Sequence, residues 1–301
     1  MALQVVARPS GATLALVPLL GLLWGFNWPA VRIALDEIAP WTLRAAGMLC
    51  AGLLLVALAL ASGRRMRVPR HHWFRLFLTG ILSIAAFNVL LAFAQLMAPT
   101  SRIAIVTFTM PLWAAVFASV LLKERLDGGR LLGLALGLTG LAALGWPLIL
   151  AGELSFGLLL ALLAGISWAA GTVLLKRFPI DAPAMTIAAW QLLLGGLCAA
   201  VGMLLFEGPP PLRPLEGGTL LAFAYHVFLA QALAYFLWFE VLPRLPAAAA
   251  SMGTLMVPAV GVLGSMILLG ETLALSDWLG LLLVVGAGST ILLRPRSTSS
   301  R

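Results

Sequence analysis

The chain has 301 residues, 62% of them hydrophobic and 10% charged, with a mean hydropathy of +1.06 and a formal net charge of +8. A soluble domain of this length needs far more polar surface, so the composition excludes one and points to apolar helices of about 20 residues crossing a bilayer. The basic residues sit in short loops between apolar runs rather than on one face, which excludes a nucleic-acid surface and leaves membrane topology and attraction to anionic headgroups as their reading.

The apolar runs are continuous rather than alternating, so helices are expected and not a barrel. In chain order, Pro, Gly and charged breaks divide them into spans 12–35, 40–61, 73–97, 101–122 and 129–149, followed by 154–177, 183–206, 218–242, 246–269 and 275–293. The expected fold is all-α and integral to the membrane, with ten transmembrane helices and no soluble domain. The first run follows Arg8 and is too long for a cleaved signal, so it is expected to remain as a membrane helix.

Orientation follows from the charges. With the N-terminus in the cytoplasm, fifteen of the 19 Lys and Arg fall on that side: Arg8, the group Arg64 to Arg75, Lys123 to Arg130, Lys176 and Arg177, Arg244, and Arg294 to Arg301. The other side keeps mostly acids, among them Asp36, Glu37, Glu153, Glu207, Glu216, Glu271 and Asp277. Both termini are therefore expected in the cytoplasm, with a bacterial inner membrane as the location.

The segment from Thr107 to Leu136 resembles that from Thr254 to Leu283 at a fixed offset of 147. Pro111, Glu124 and Gly133 meet Pro258, Glu271 and Gly280, and Pro99 meets Pro246 in the same register. A duplication of five spans, an odd number, inserts the second copy upside down. Residues 1–150 and 151–301 then form two inverted repeats of one membrane domain, an arrangement that places a substrate site near the midplane where the halves meet.

The run Trp24-Gly25-Phe26-Asn27-Trp28-Pro29, Arg44 early in the second span, and the patterns Pro111 to Glu124 and Pro258 to Glu271 resemble the drug/metabolite transporter superfamily, EamA type, and within it most the aromatic amino-acid exporters of the YddG type. The resemblance spans the whole chain and implies a ten-helix, two-repeat fold that exports amino acids or related metabolites. The second half departs from the first: Ala169 follows Trp168 where Gly25 follows Trp24, and Gln191 stands where Arg44 would recur.

Several residues are candidates for the transport path. Trp24 and Trp168 lie near the centres of their spans, unlike the belt positions Trp41, Trp73 and Trp278, and could stack on a substrate. Asn27 is one turn from Trp24. Asn88, Ala92 and Gln95 share one helical face, as do Gln231, Tyr235 and Trp238; uncharged amides and a phenol at this depth either bind a zwitterion or bond between helices. Thr107 and Thr254 lie one turn before Pro111 and Pro258, which kink their helices and serve as hinges or as static bends. His226, the one histidine inside a span, either couples transport to a proton gradient or stays neutral and hydrogen-bonded. Arg44 either snorkels to headgroups or guards the outer mouth of a cavity. Gly129, Gly133 and Gly137 form a small-residue stripe suited to a dimer seam or to packing within the bundle.

Cys50 and Cys198 read as buried hydrophobes, and no metal or cofactor is expected. No GxSxG or HExxH run supports an intramembrane enzyme. The reading that remains is a secondary transporter exporting small metabolites, with aromatic or apolar amino acids first, through a central cavity by alternating access. Polyspecific drug efflux and the flipping of lipid-linked substrates are the alternatives. The expected partners are the bilayer and a small-molecule substrate; a monomer would suffice, and the oligomeric state is open.

Overall fold

The computed structural model describes residues 11–124, 128–152, 155–210, 214–241 and 247–292, with the side chains of 11–15, 17, 130, 238–241, 247–255 and 291–292 outside that description. All regular structure among the described residues is helical. In chain order come α1 (Gly11–Gly25), α2 (Asn27–Ala34) and α3 (Pro40–Ala61), then α4 (Trp73–Gly80), which runs through a π-helical stretch Ile81–Ala86 into α5 (Phe87–Met97). Next are α6 (Thr100–Thr107), α7 (Met110–Leu121) and α8 (Gly128–Leu150), and then α9 (Phe156–Arg177) and α10 (Ala184–Phe206). After these α11 (Gly217–Ala224) runs through a second π stretch, Tyr225–Leu233, into α12 (Ala234–Val241), and α13 (Ala247–Leu269) and α14 (Leu275–Leu292) follow. Among the described residues, seven helical stretches are long and apolar enough to cross a membrane, with Met256–Leu269 and Leu275–Thr290 as shorter apolar ones, so the chain is a multi-pass membrane protein.

Two helix breaks have the same cause. A proline lacks the N–H that would reach the carbonyl four residues back, and its ring crowds that carbonyl. Pro29 acts in this way on Gly25, where α1 ends, and Pro111 acts on Thr107, where α6 ends. Pro111 thereby sits in the first turn of α7, not inside a continuous helix. Pro258 stands in the same relation to Thr254, yet α13 runs through it unbroken. The paired prolines are thus found in two conformations.

Lipid tails are as apolar as leucine, so helices in a bilayer associate by close packing rather than by hiding from solvent. The outer surface accordingly exposes large apolar side chains such as Leu53, Phe74, Val120, Phe206 and Ile267, whereas contacts between helices use glycine. A Cβ on Gly52 of α3 would lie 2.9 Å from Leu193 of α10, and one on Gly196 of α10 would lie 2.8 Å from Leu49 of α3. Gly140 of α8 and Gly280 of α14 meet backbone to backbone. From the glycine stripe, Gly137 faces Leu112 of α7, so that position packs inside the chain. The principal helix pairs, α3 with α10, α8 with α14, α1 with α13 and α5 with α9, each join the first half of the chain to the second.

The two ends of the bundle differ in chemistry. At one end carboxylates cap helices, satisfying amides that lack an intrahelical partner and favouring the positive end of the helix dipole. Glu207 accepts from the amides of Trp41 and Thr42, both at 2.8 Å, to cap α3, and Glu271 accepts from those of Thr100 (2.6 Å) and Ser101 (2.8 Å) to cap α6. Beside the latter, Arg102 pairs with the buried Asp277 at 2.9 Å. At the other end the basic loops gather: Lys176 pairs with Glu124, Thr186 donates to the Arg65 carbonyl, and His72 accepts from the Asp181 amide.

Three stability outcomes follow. A Cβ on Gly171 would fall 2.8 Å from the Ser83 backbone nitrogen, which has no room to yield, so Gly171→Ala should lower thermal stability in detergent by about 1–3 kcal/mol. Gly145→Ala meets nothing within 4 Å and should be neutral or stabilising by ~0.5–1 kcal/mol on helix propensity. Glu271→Ala removes the cap of α6 and should cost about 1–2 kcal/mol in the same assay.

Candidate functional site

The motif Trp24 to Pro29 lies where α1 and α2 cross α13. Gly25 makes the crossing possible: a Cβ there would overlap Val260 at 2.4 Å. On the facing helix, Gly261 admits the Trp28 ring and Gly264 lies against Phe26 and Pro29. The remaining two residues turn towards Tyr225–Leu233 and α12. Trp24 donates its indole N–H to the Ala230 carbonyl at 3.1 Å and meets the Tyr235 ring edge-on, with centroids 5.9 Å apart. Asn27 Oδ1 lies 2.8 Å from His226 Nδ1, so in this amide orientation the histidine Nδ1–H donates.

His226 is fully buried, and its Nε2 has no hydrogen-bond partner. That atom faces Gly47 of α3, where a Cβ would approach it to 2.9 Å. One turn before Gly47 stands Arg44, which is 2% exposed. Arg44 is therefore sealed inside the bundle and does not snorkel to headgroups. Its Nη1 donates to Asn88 Oδ1 at 3.3 Å, and its Nε has no partner. Asn88 is aimed at Arg44 by its own amide N–H, which donates to the Ile84 carbonyl at 2.9 Å within Ile81–Ala86. Tyr235 and His226 both lie within electrostatic range of the guanidinium.

The other candidates divide. Gln231 is 3% exposed and its Oε1 has no donor. Gln95 is buried and donates to the Trp28 carbonyl at 2.9 Å, and Thr107 is fully buried and donates to the Ala161 carbonyl at 3.5 Å. Trp168 on α9 is half-buried, as are Trp24, Asn27 and Tyr235, so these four keep some surface open while Asn88, Gln95, Gln231 and His226 are sealed. Trp238 and Thr254 have side chains outside the described residues. Gln191, the counterpart of Arg44 at the offset of 147, donates to Thr79 Oγ1 at 3.0 Å and leaves no charge behind. A cluster from α1, α2, α3, α5, Tyr225–Leu233 and α12 thus gathers Trp24, Asn27, Arg44, Asn88, His226 and Tyr235, able to stack on a ring and to donate and accept hydrogen bonds away from water.

Sequence reasoning missed two features. Both π stretches lie at corresponding places of the halves, and Ile81–Ala86 shifted by 147 falls within Tyr225–Leu233. Their hydrophobic pattern is that of an ordinary helix, so nothing in the residues marks them. The depth of Arg44 was also missed; a basic residue lacking its counterpart in the second half was the available signal.

Comparison with known proteins assigns the class. The model of the EamA-like transporter family matches residues 11–146 and again 155–293. A Salmonella typhimurium protein named "Probable amino-acid metabolite efflux pump" is 29% identical over 280 residues, covering 88% of this chain and 89% of that protein. An Escherichia coli K12 protein named "Uncharacterized inner membrane transporter YedA" is 28% identical over 281 residues, 90% of each chain. A crystal structure superposes with a TM-score of 0.65 at 22% identity, covering 95% of this chain and 99% of the other, which bears on the fold alone. With nearly its whole length matched, the chain belongs to the EamA-like transporter family, whose members are transporters and not enzymes.

Proposed function

We propose that the protein is a secondary transporter of a bacterial inner membrane that exports small metabolites, in the first place amino acids with aromatic or apolar side chains. The observation that carries this reading is the polar and aromatic cluster of Trp24, Asn27, Arg44, Asn88, His226 and Tyr235, drawn from both halves and enclosed by helices. A ring beside hydrogen-bonding groups in a site shielded from water suits a zwitterion with an apolar side chain. The name of the Salmonella relative agrees with that substrate class.

Ten membrane spans in two inverted repeats, with both termini in the cytoplasm, are part of the proposal. The family match in two segments, the π stretches at corresponding places and the offset of 147 support the repeat. The acid-capped and basic ends support the orientation, since loops rich in Lys and Arg face the cytoplasm. Alternating access then moves substrate past the cluster, with the segments at Pro111 and Pro258 as hinges. His226 is the candidate for proton coupling.

Uptake of labelled tryptophan or phenylalanine into proteoliposomes, with and without an imposed proton gradient, tests this. Saturable flux competed by related amino acids is expected. Replacing Trp24, Trp168 or Tyr235 by Ala should cut that flux about tenfold or more in folded protein; unchanged flux in all three would remove the site assignment. His226→Gln should abolish any stimulation by the gradient. Pro111→Ala and Pro258→Ala should each slow transport severalfold while leaving substrate affinity within about twofold, because a hinge acts on conformational exchange and not on contact with the substrate. Rates equal to wild type would discard the hinges.

A further inference from the structure

Arg44 is a cation in the wrong place unless something absent completes it. A guanidinium stays charged in proteins, and taking it out of water costs several kcal/mol unless an opposite charge compensates. The other ion pairs given for the described residues, Arg32 with Asp36, Arg102 with Asp277 and Lys176 with Glu124, each have their acid. Arg44 is more deeply buried than any of those three cations, and among the described residues no carboxylate pairs with it; the hydrogen bond it makes there goes to the neutral Asn88. Its Nε points at nothing. An ionisable group left in this condition inside a membrane bundle marks a ligand site more often than a structural one.

The surroundings fit an incoming anion. Asn88 takes one arm of the guanidinium and is held from behind by the Ile84 carbonyl, so the side chain is oriented before any ligand arrives. Tyr235 lies within electrostatic range of the charge, is half-buried and meets the half-buried Trp24 edge-on. Guanidinium and carboxylate match in planar geometry, two parallel N–H donors meeting two oxygens. The second half gives the contrast: at the equivalent position a neutral Gln191 is satisfied by Thr79, so the charge is not a packing requirement of the fold. We infer that Arg44, positioned by Asn88, anchors the carboxylate of the transported substrate, so that the protein carries carboxylate-bearing molecules and discriminates against their amides and decarboxylated amines. The inference rests on the transporter reading of the same cluster and adds the chemical class of ligand that the cluster requires.

The test uses the full-length purified protein, with ligand-induced thermal stabilisation in detergent and competition for uptake in proteoliposomes. The probes are tryptophan, tryptophanamide, tryptamine, phenylalanine, leucine, indole-3-acetate and benzoate. Tryptophan should act at concentrations about 10- to 100-fold below tryptophanamide and tryptamine, the range expected for a hydrogen-bonded charge pair. Arg44→Gln should erase that preference, and Arg44→Lys should retain part of it. If tryptophan is carried but its amide competes equally, or folded Arg44→Gln keeps the wild-type preference, the carboxylate anchor is wrong while the amino-acid exporter stands. If no amino acid is carried but indole-3-acetate or benzoate binds in an Arg44-dependent way, the anchor stands and the amino-acid reading falls. If none of the carboxylates binds, the anchor is overturned. Should Arg44→Gln fail to fold, the wild-type comparison of acid, amide and amine decides alone.

Discussion

Everything in this bundle depends on how near its helices can come to one another. Between leucines already surrounded by lipid there is no hydrophobic gain to collect, so cohesion falls to dispersion across short distances and to hydrogen bonds made away from water. The glycines at the crossings supply the first: Gly25 against Val260, Gly52 against Leu193, Gly196 against Leu49, Gly140 against Gly280. The second is supplied at one end by carboxylates on helix starts and in the middle by amides that reach across to carbonyls, as Gln95 does to Trp28.

The same constraint explains why the polar cluster is tight. A polar group in the interior needs a partner within reach, and close helix contact provides one for most of them. Asn27 finds His226, Gln191 finds Thr79, and Ser167 finds the Leu82 carbonyl. Among the described residues partners run out at Thr100 Oγ1 on α6 and at Arg44 Nε, His226 Nε2 and Gln231 Oε1, the last three on α3 and on the Tyr225–Leu233 stretch it packs on. A change of helix pitch there alters which side chains face inward, and π stretches are frequent where function requires an unusual direction. The proposed binding cluster and the helix irregularity thus fall in one region of the molecule.

How much of this could be read from the residues depended on whether the rule involved was local. Hydropathy and punctuation placed the helical segments within a few residues, because solvation by lipid acts on each stretch by itself. The breaks at Gly25 and Thr107 follow from Pro29 and Pro111 by backbone geometry alone, although the difference between a broken Pro111 and a continuous Pro258 does not. The offset of 147 found pairs of residues but not their contacts: Gly280 aligns with Gly133 yet packs on Gly140. Arg44 shows the limit most clearly. Counting from the end of its helix puts it near the boundary, and only Asn88 on another helix, with Gly47 and His226 packed below, draws its side chain inward. Gln95 and Thr107 meet carbonyls of neighbouring helices, contacts that spacing along one helix does not reveal.

The pairing of helices has a consequence for how the protein is made. Residues up to about 150 emerge from the ribosome first, and nearly every principal neighbour they will have, α9, α10, α13 and α14, is encoded after them. The early helices are inserted with their glycine-lined faces bare, and they hold their backbone bonds only because each helix satisfies its own. α8 waits for α14, the last described helix of the chain, to fill the groove along Gly140. Assembly cannot proceed half by half: α5, α3 and α1 meet α9, α10 and α13 as these are made, and a chain cut short before α14 would leave α8 without its principal neighbour.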